Sequence, residues 1–187
     1  MVIGHNKYSL SHATDRELYK MSSIWRYNSR LIHKPENLAE HSFYVAFKVH
    51  ELGYIFGIDQ ERIFKAAKIA LCHDCGELYT GDLPHSLKVY SPEIKKIAED
   101  LEVELITENF KFFADDFKSF ANRDDEIVCT LVETADCLDV IMFIDREEQL
   151  GNKDGDILDI RSECTERYVN LTSKLKELCE KEYKKDI

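Results

Sequence analysis

Several ionisable side chains lie where a helical protein would ordinarily bury leucine or valine. His41 falls within the apolar series Leu38, Val45, Val49, Leu52 and Phe56. The series Ile63, Ala66, Ala67 and Ala70, continued at the same spacing, lands on Asp74, with His73 beside it and Glu77 one turn on. Asp136 sits in the middle of a face made by Cys129, Val132, Val140 and Phe143. Burying an unpaired carboxylate is costly, and a divalent cation offsets that cost directly. Two imidazoles with two carboxylates form a nitrogen and oxygen donor set suited to Mn, Fe, Co, Ni or Zn. Such a set leaves positions open for water and substrate. His73 and Asp74, adjacent at the inward end of a helix, can both reach one ion. The remaining ligands must come from other helices, which suits His41 and Asp136. Taken singly, a histidine on a helix face is more often plain core or surface, and a buried aspartate more often a cap or an ion-pair partner. The set as a whole, in register with apolar faces on three helices, favours a metal.

The elements that must position these groups are helices. Period-3.6 patterning runs almost end to end, and no alternating strand is evident. Thr14 with Glu17 predicts a capping box for a first helix ending near Ile24, and Asn37 with Glu40 caps a second that runs to about Gly57. Asp59 caps a third, whose small inward residues imply close approach of another helix. Thr80-Gly81-Asp82-Leu83-Pro84 breaks the pattern. Ser91-Pro92 starts a fourth helix, with Ile94, Ile97, Leu101 and Leu105 expected on its buried side. Residues 109–123 read as a short helix or loop packing four phenylalanines. A fifth helix begins near Asp124-Asp125-Glu126, acids well placed for its dipole. After a turn at 151–155, a last helix from about Ile157 carries Ile160, Cys164, Leu171, Leu175 and Leu178. The expected fold class is all-α, a helical bundle, with residues 1–187 as a single domain.

Bulk properties narrow the function. The chain has 187 residues, enough for one domain with a proper core. With seven Gly and three Pro it favours long helices over a turn-rich sandwich. A formal charge of −11 repels nucleic-acid backbones, so no nucleic-acid polymer is expected as a partner. A small anion remains possible if a metal and a few cations invert the field at one place. No stretch approaches a membrane helix and the N-terminus shows no export pattern, so the expected location is the cytoplasm, with the six cysteines as free thiols. Cys72 and Cys75 form a Cys-x-x-Cys pair, but they lack the βαβ context of a redox motif and the second pair of a zinc knuckle.

Three runs carry a resemblance: Glu40-His41-Ser42, then His73-Asp74-Cys75-Gly76-Glu77-Leu78-Tyr79-Thr80-Gly81-Asp82-Leu83-Pro84, then Ala135-Asp136. Together they resemble the HD-domain phosphohydrolase superfamily and, within it, the YfbR-like 5′-deoxynucleotidase branch, over roughly residues 26–145. The HD dipeptide alone says little; the full H-D-x-x-E-x-x-T-G-D-L-P string is specific. The resemblance implies an HD-domain helical bundle with His41, His73, Asp74 and Asp136 as ligands to one divalent transition metal. It implies Glu77 as the catalytic carboxylate, acting with Asp74, and Arg26, Asp82 and Lys88 as contacts to phosphate and sugar. Tyr27 stands where the branch usually has Trp beside sugar and base, which leaves base preference and deoxyribose selectivity open.

The implied activity is removal of the 5′-phosphate from deoxynucleoside monophosphates. A deoxynucleoside triphosphohydrolase, releasing triphosphate, is the alternative within the class. A metal-bound module that senses nucleotides or mediates assembly without turnover is the alternative outside it, and the presence of Glu77 argues against it. The resemblance further implies a homodimer or higher homo-oligomer through exposed apolar helix faces.

Overall fold

Asn37 opens the helix that carries His41 by a reciprocal capping box: its side chain accepts from the Glu40 amide at 3.0 Å, and Glu40 Oε2 accepts from the Asn37 amide at 3.3 Å. The helix is α1, Leu38–Ile55, and Gly57, with φ +66°, carries the chain out of it. The computed structural model describes residues 18–83, 87 and 90–184. The proposed Thr14–Glu17 cap, Pro84 and Lys88 therefore lie outside the described residues.

Among the described residues, five further helices and one single-turn segment follow α1: α2 (Gln60–Cys72), α3 (Glu77–Thr80, one turn), α4 (Pro92–Asn109), α5 (Ala114–Ala121), α6 (Glu126–Gln149) and α7 (Gly155–Tyr183). Asp59, Ser91, Asp125 and Asp154 accept first-turn amides of α2, α4, α6 and α7. Among the described residues there is no strand, only an isolated bridge between Trp25 and Asn37. The expected all-α fold is what the chain adopts.

Helix α6 is the axis of the bundle. It packs on α1, α2 and α7, and six consecutive residues from Ile127 to Val132 are buried. Val45 and Val49 of α1, Ile63, Ala66 and Ala70 of α2, Leu131 and Ala135 of α6 and Leu175 of α7 form one apolar cluster. The alanines let α2 come close enough to set its C-terminal end beside His41. A second cluster joins Leu38, Cys72, Cys75, Ile106, Phe110 and Phe117, with Phe113 and Phe120 packed against it. Four phenylalanines of segment 109–123 thus pack inward as expected, while Phe112 is exposed.

Two expectations need correction. The α2 pattern does not continue as α-helix through Asp74 and Glu77: the helix ends at Cys72, and the chain tightens into i→i+3 bonds, with the amides of Cys75, Glu77, Leu78 and Tyr79 reaching Cys72, Asp74, Cys75 and Gly76. In this tighter winding Asp74 and Glu77 remain one turn apart. Second, Ile94, Ile97 and Leu101 of α4 are exposed, and its buried residues are Ala98 and Ile106. The cause is Gly76. A Cβ there would sit 2.4 Å from Glu102 Cγ and 2.9 Å from Glu102 Cα, so only glycine lets the Ala98–Glu102–Ile106 face of α4 seat against the turn. That seating turns the isoleucines outward.

Candidate active site

Helices α1, α2 and α6 meet where their polar residues interrupt the core. His41 of α1 is fully buried. Its Nε2 lies 3.3 Å from His73 Nε2, 3.4 Å from Asp74 Oδ2 and 3.4 Å from Asp136 Oδ1, and His73 Nε2 lies 3.4 Å from Asp74 Oδ2. His41, His73 and Asp74 therefore present an almost equilateral triangle of donors, which Asp136 approaches from α6. All four proposed metal ligands come together.

The hydrogen bonds behind the cage decide what it can hold. His41 Nδ1 donates to Asp139 Oδ2 at 2.7 Å, and His73 Nδ1 donates to the Ala70 carbonyl at 2.7 Å. With both rings neutral, each Nε2 would be unprotonated and four lone-pair acceptors would face one another, an arrangement that only added positive charge, a proton or a cation, stabilises. Burial and Arg26 pull the His41 pKa down, but hydrogen bonds with Asp136, Asp139 and Asp74 outweigh them and hold it at about 10. Burial likewise pushes Asp74 and Asp136 up, and the two histidines more than reverse it, so both stay ionised. The separations fit a divalent ion as well: donors about 2.1 Å from a shared tetrahedral centre lie about 3.4 Å apart.

Glu36, His41 and Asp139 form a second close group of possible ligands. Lys48 already supplies the cation there, its Nζ 2.9 Å from Asp139 Oδ1.

A cavity of about 250 Å³ opens beside the cage, lined by Asp74, Glu77 and Asp136 and also by Arg26, Tyr27, Asp82 and Arg167. Glu77 is buried at the start of α3, one tight turn from Asp74. Arg26 is fixed through its backbone, whose amide donates to the Glu36 carbonyl at 3.0 Å. Its Nη1 is buried without a hydrogen-bond partner, 3.7 Å from Glu36 Oε2. Burial opposes the Arg26 charge, but neighbouring groups, Asp74, Asp136 and Glu36 among them, raise its pKa still further, so the guanidinium stays charged.

Tyr27 adopts φ +57°, rare for a side chain of that size. Asp82 Oδ2 accepts from its amide at 2.8 Å, and its ring stacks on Phe143 with centroids 4.9 Å apart and planes 9° from parallel. The loop behind is pinned by Glu147, which accepts from the amides of His33 and Lys34 and from Asn152 Nδ2. Arg26, Tyr27 and Asp82 thus share the cavity with the cage, while Lys88 lies outside the described residues.

Sequence reasoning missed Asp139, Lys48, Glu36 and Arg167. Asp139 and Lys48 left a signal: Asp139 is three residues past Asp136 and Lys48 seven past His41, each on the same helix face as a proposed ligand. Arg167 left none, because it falls outside the apolar series of the last helix and outside the motifs that carry the resemblance.

The YfbR-like 5′-deoxynucleotidase family matches residues 16–181. A 5′-deoxynucleotidase of Vibrio vulnificus is 35% identical over 147 residues, covering 72% of this chain and 74% of the relative. The 5′-deoxynucleotidase YfbR of Escherichia coli is 33% identical over 146 residues, covering 71% of each. Among solved structures, an HD phosphohydrolase of cyanophage S-2L bound to dA and one catalytic Zn2+ ion has the same fold, with TM-score 0.69 and 23% identity over 91% of this chain and 96% of that one. A helical bundle built on an HD turn and a sequence match over most of the chain lead to one conclusion: the chain belongs to the YfbR-like 5′-deoxynucleotidase family.

Proposed function

We propose that this chain is a metal-dependent 5′-deoxynucleotidase, converting a deoxynucleoside 5′-monophosphate and water into the deoxynucleoside and orthophosphate. What carries the reading is the meeting, beside one cavity, of a cage of four facing nitrogen and oxygen donors that calls for added positive charge and a buried guanidinium whose Nη1 makes no hydrogen bond. His41, His73, Asp74 and Asp136 would hold one divalent transition metal, Co, Mn, Zn, Ni or Fe. The chemistry such an ion supplies is acidification of a water and polarisation of a phosphoryl oxygen.

The chain's own residues do the rest. Arg26 grips the phosphate through its fork, and Lys88 adds a point charge. Glu77 orients the attacking water and takes its proton, then returns a proton to the sugar 5′-oxygen as the phosphorus–oxygen bond breaks. The Tyr27 ring, stiffened by Phe143, forms a flat wall for sugar and base. Asp82 commits Oδ2 to the Tyr27 amide, and its other oxygen accepts from a sugar hydroxyl.

In the same reading the protein is a homodimer or higher homo-oligomer in the cytoplasm. Phe43, Phe47 and Tyr54 share one exposed side of α1, and Phe64 and Leu71 one side of α2, an apolar surface that a second copy would cover. The cysteines are unpaired, which suits a reducing compartment. No helix among the described residues is long and apolar enough to cross a membrane.

The test is a panel of deoxynucleoside and ribonucleoside monophosphates and deoxynucleoside triphosphates, assayed with several divalent metals and with products identified. Orthophosphate from deoxynucleoside monophosphates is the expected result. Tripolyphosphate from the triphosphates would move the assignment to a triphosphohydrolase, and stoichiometric metal without turnover to a binding module.

A further inference from the structure

Behind the cage, α1 and α6 contribute two polar residues each, and the four interlock. His41 and Lys48 lie two helical turns apart on α1, and Asp136 and Asp139 one turn apart on α6. His41 bridges the two aspartates, Nε2 toward Asp136 and Nδ1 toward Asp139, and Lys48 closes the set on the far oxygen of Asp139. Asp139 and Lys48 are almost as buried as His41, at 3% and 6% exposure. Neither touches the cavity.

We propose that Asp139 and Lys48 are a positioning pair that fixes the tautomer of His41, so that its Nε2 lone pair faces the metal. The inference rests on the reading of His41 as a ligand. An imidazole with a free choice of tautomer would place its proton on Nε2 half the time or more in a cage of carboxylates, and a protonated Nε2 cannot coordinate. Asp139 removes that choice. Ionised, it has only acceptors to offer, so Nδ1 must donate to it. Lys48 donates to its second oxygen at 2.9 Å, which stops the carboxylate from rotating away. A partner of this kind behind a ligating histidine orients the ring and raises its basicity.

The pairing also predicts an unusual rescue. In D139N the amide has one acceptor and one donor. Turning its oxygen to His41 sets its NH2 against the Lys48 ammonium, donor against donor, while the opposite rotamer forces the wrong tautomer on His41. Removing the ammonium relieves the first rotamer. The double variant K48M/D139N should therefore bind metal more tightly than D139N, although it lacks one more native interaction.

The experiment measures zinc affinity of the full chain by competition with a chromophoric chelator, with thermal unfolding followed in parallel. D139N is expected to weaken zinc by about 10–100-fold, and K48M/D139N to recover part of that loss. Folded D139N with zinc affinity within twofold of wild type overturns the role of Asp139, and a double variant no tighter than D139N overturns that of Lys48. Should D139N fail to fold, long-range proton–nitrogen spectra of the zinc-loaded wild type, labelled at histidine, decide the matter. Both zinc-bound rings are expected to carry the proton on Nδ1 and zinc on Nε2, and coordination of His41 through Nδ1 overturns the inference while leaving the metal centre standing. A wild-type chain that binds no stoichiometric zinc or other divalent ion overturns the metal centre itself.

Discussion

The two sides of the cavity are held in opposite ways. On the cage side, His41, His73, Asp74 and Asp136 rise from or just beyond three long helices, and the two ring Nδ1 atoms are tied to Asp139 and Ala70. On the other, the proposed substrate contacts Arg26, Tyr27 and Asp82 sit on short connecting segments, Tyr27 at a positive φ and Arg26 with an Nη1 that makes no hydrogen bond. In the proposed reading, helices suit a cage whose ion tolerates little error in its ligands, and loops suit a wall that would meet a molecule that comes and goes. Damage to the cage should therefore appear in metal content, and damage to the wall in KM.

The largest effect is expected from Asp74→Ala, which removes a donor from the triangle. Stoichiometric metal should be lost and turnover with it, as read by elemental analysis and phosphate release. Full metal occupancy in this variant would exclude Asp74 as an essential ligand. Glu77→Gln comes next and separates chemistry from the cage: the ion should stay while kcat falls about 10²–10⁴-fold, the range for a lost acid–base group. Undiminished turnover would remove Glu77 from the reaction.

Arg26→Ala crosses to the wall. A hydrogen bond to a charged group contributes about 1.5–3 kcal/mol, so kcat/KM should fall about 10–100-fold with metal content unchanged. Arg26→Lys should recover only part of this, because an ammonium cannot form the fork. Loss of metal in Arg26→Ala would mean that the two sides are not independent.

A subtler contrast lies in pH. In the metal-free protein, His41 is held at about 10 against an ordinary 6.5. A pKa raised on folding contributes stability that is complete below 6.5 and is lost as pH climbs through 10. The Tm of the metal-free chain should therefore fall across that window. In the loaded chain the ion stands in for the proton, and the His41 contribution to that fall should vanish. Parallel Tm curves with and without metal would show that the ion does not compete for His41.

How far these two sides could be read from the sequence follows the same division. The proposed ligands were legible because His41, Asp74 and Asp136 fall in apolar series, with residues that a core would otherwise reject, and His73 adjoins Asp74. The helices themselves were legible from Asn37 and Asp59, whose caps form as expected, and from Ser91 and Asp125, where two further helices begin. The outward turn of Ile94, Ile97 and Leu101 was not, because it depends on Gly76 admitting Glu102 from a helix distant in sequence. The end of α2 at Cys72 was not, because i→i+3 winding keeps nearly the same side-chain spacing as α-helix over one turn. The far wall was the least legible. Its position depends on Glu147 and Asn152, buried polar residues whose partners at 31–34 lie more than a hundred residues away.

Arg167 is where that last gap can be tested, and its effect should be the smallest. It lines the cavity from α7 but is solvent-exposed, so water screens whatever charge it presents to a phosphate. Arg167→Ala should raise KM by no more than about fivefold, the span of an exposed ion pair, with kcat and metal content unchanged. Raising the salt concentration should shrink the difference between variant and wild type, since screening weakens an exposed charge more than a buried one. The Arg26 effect, made by a buried guanidinium, should persist under the same salt. If Arg167→Ala instead costs as much as Arg26→Ala and resists salt, then α7 closes over the bound substrate, and the wall is as tightly built as the cage once a nucleotide is in place.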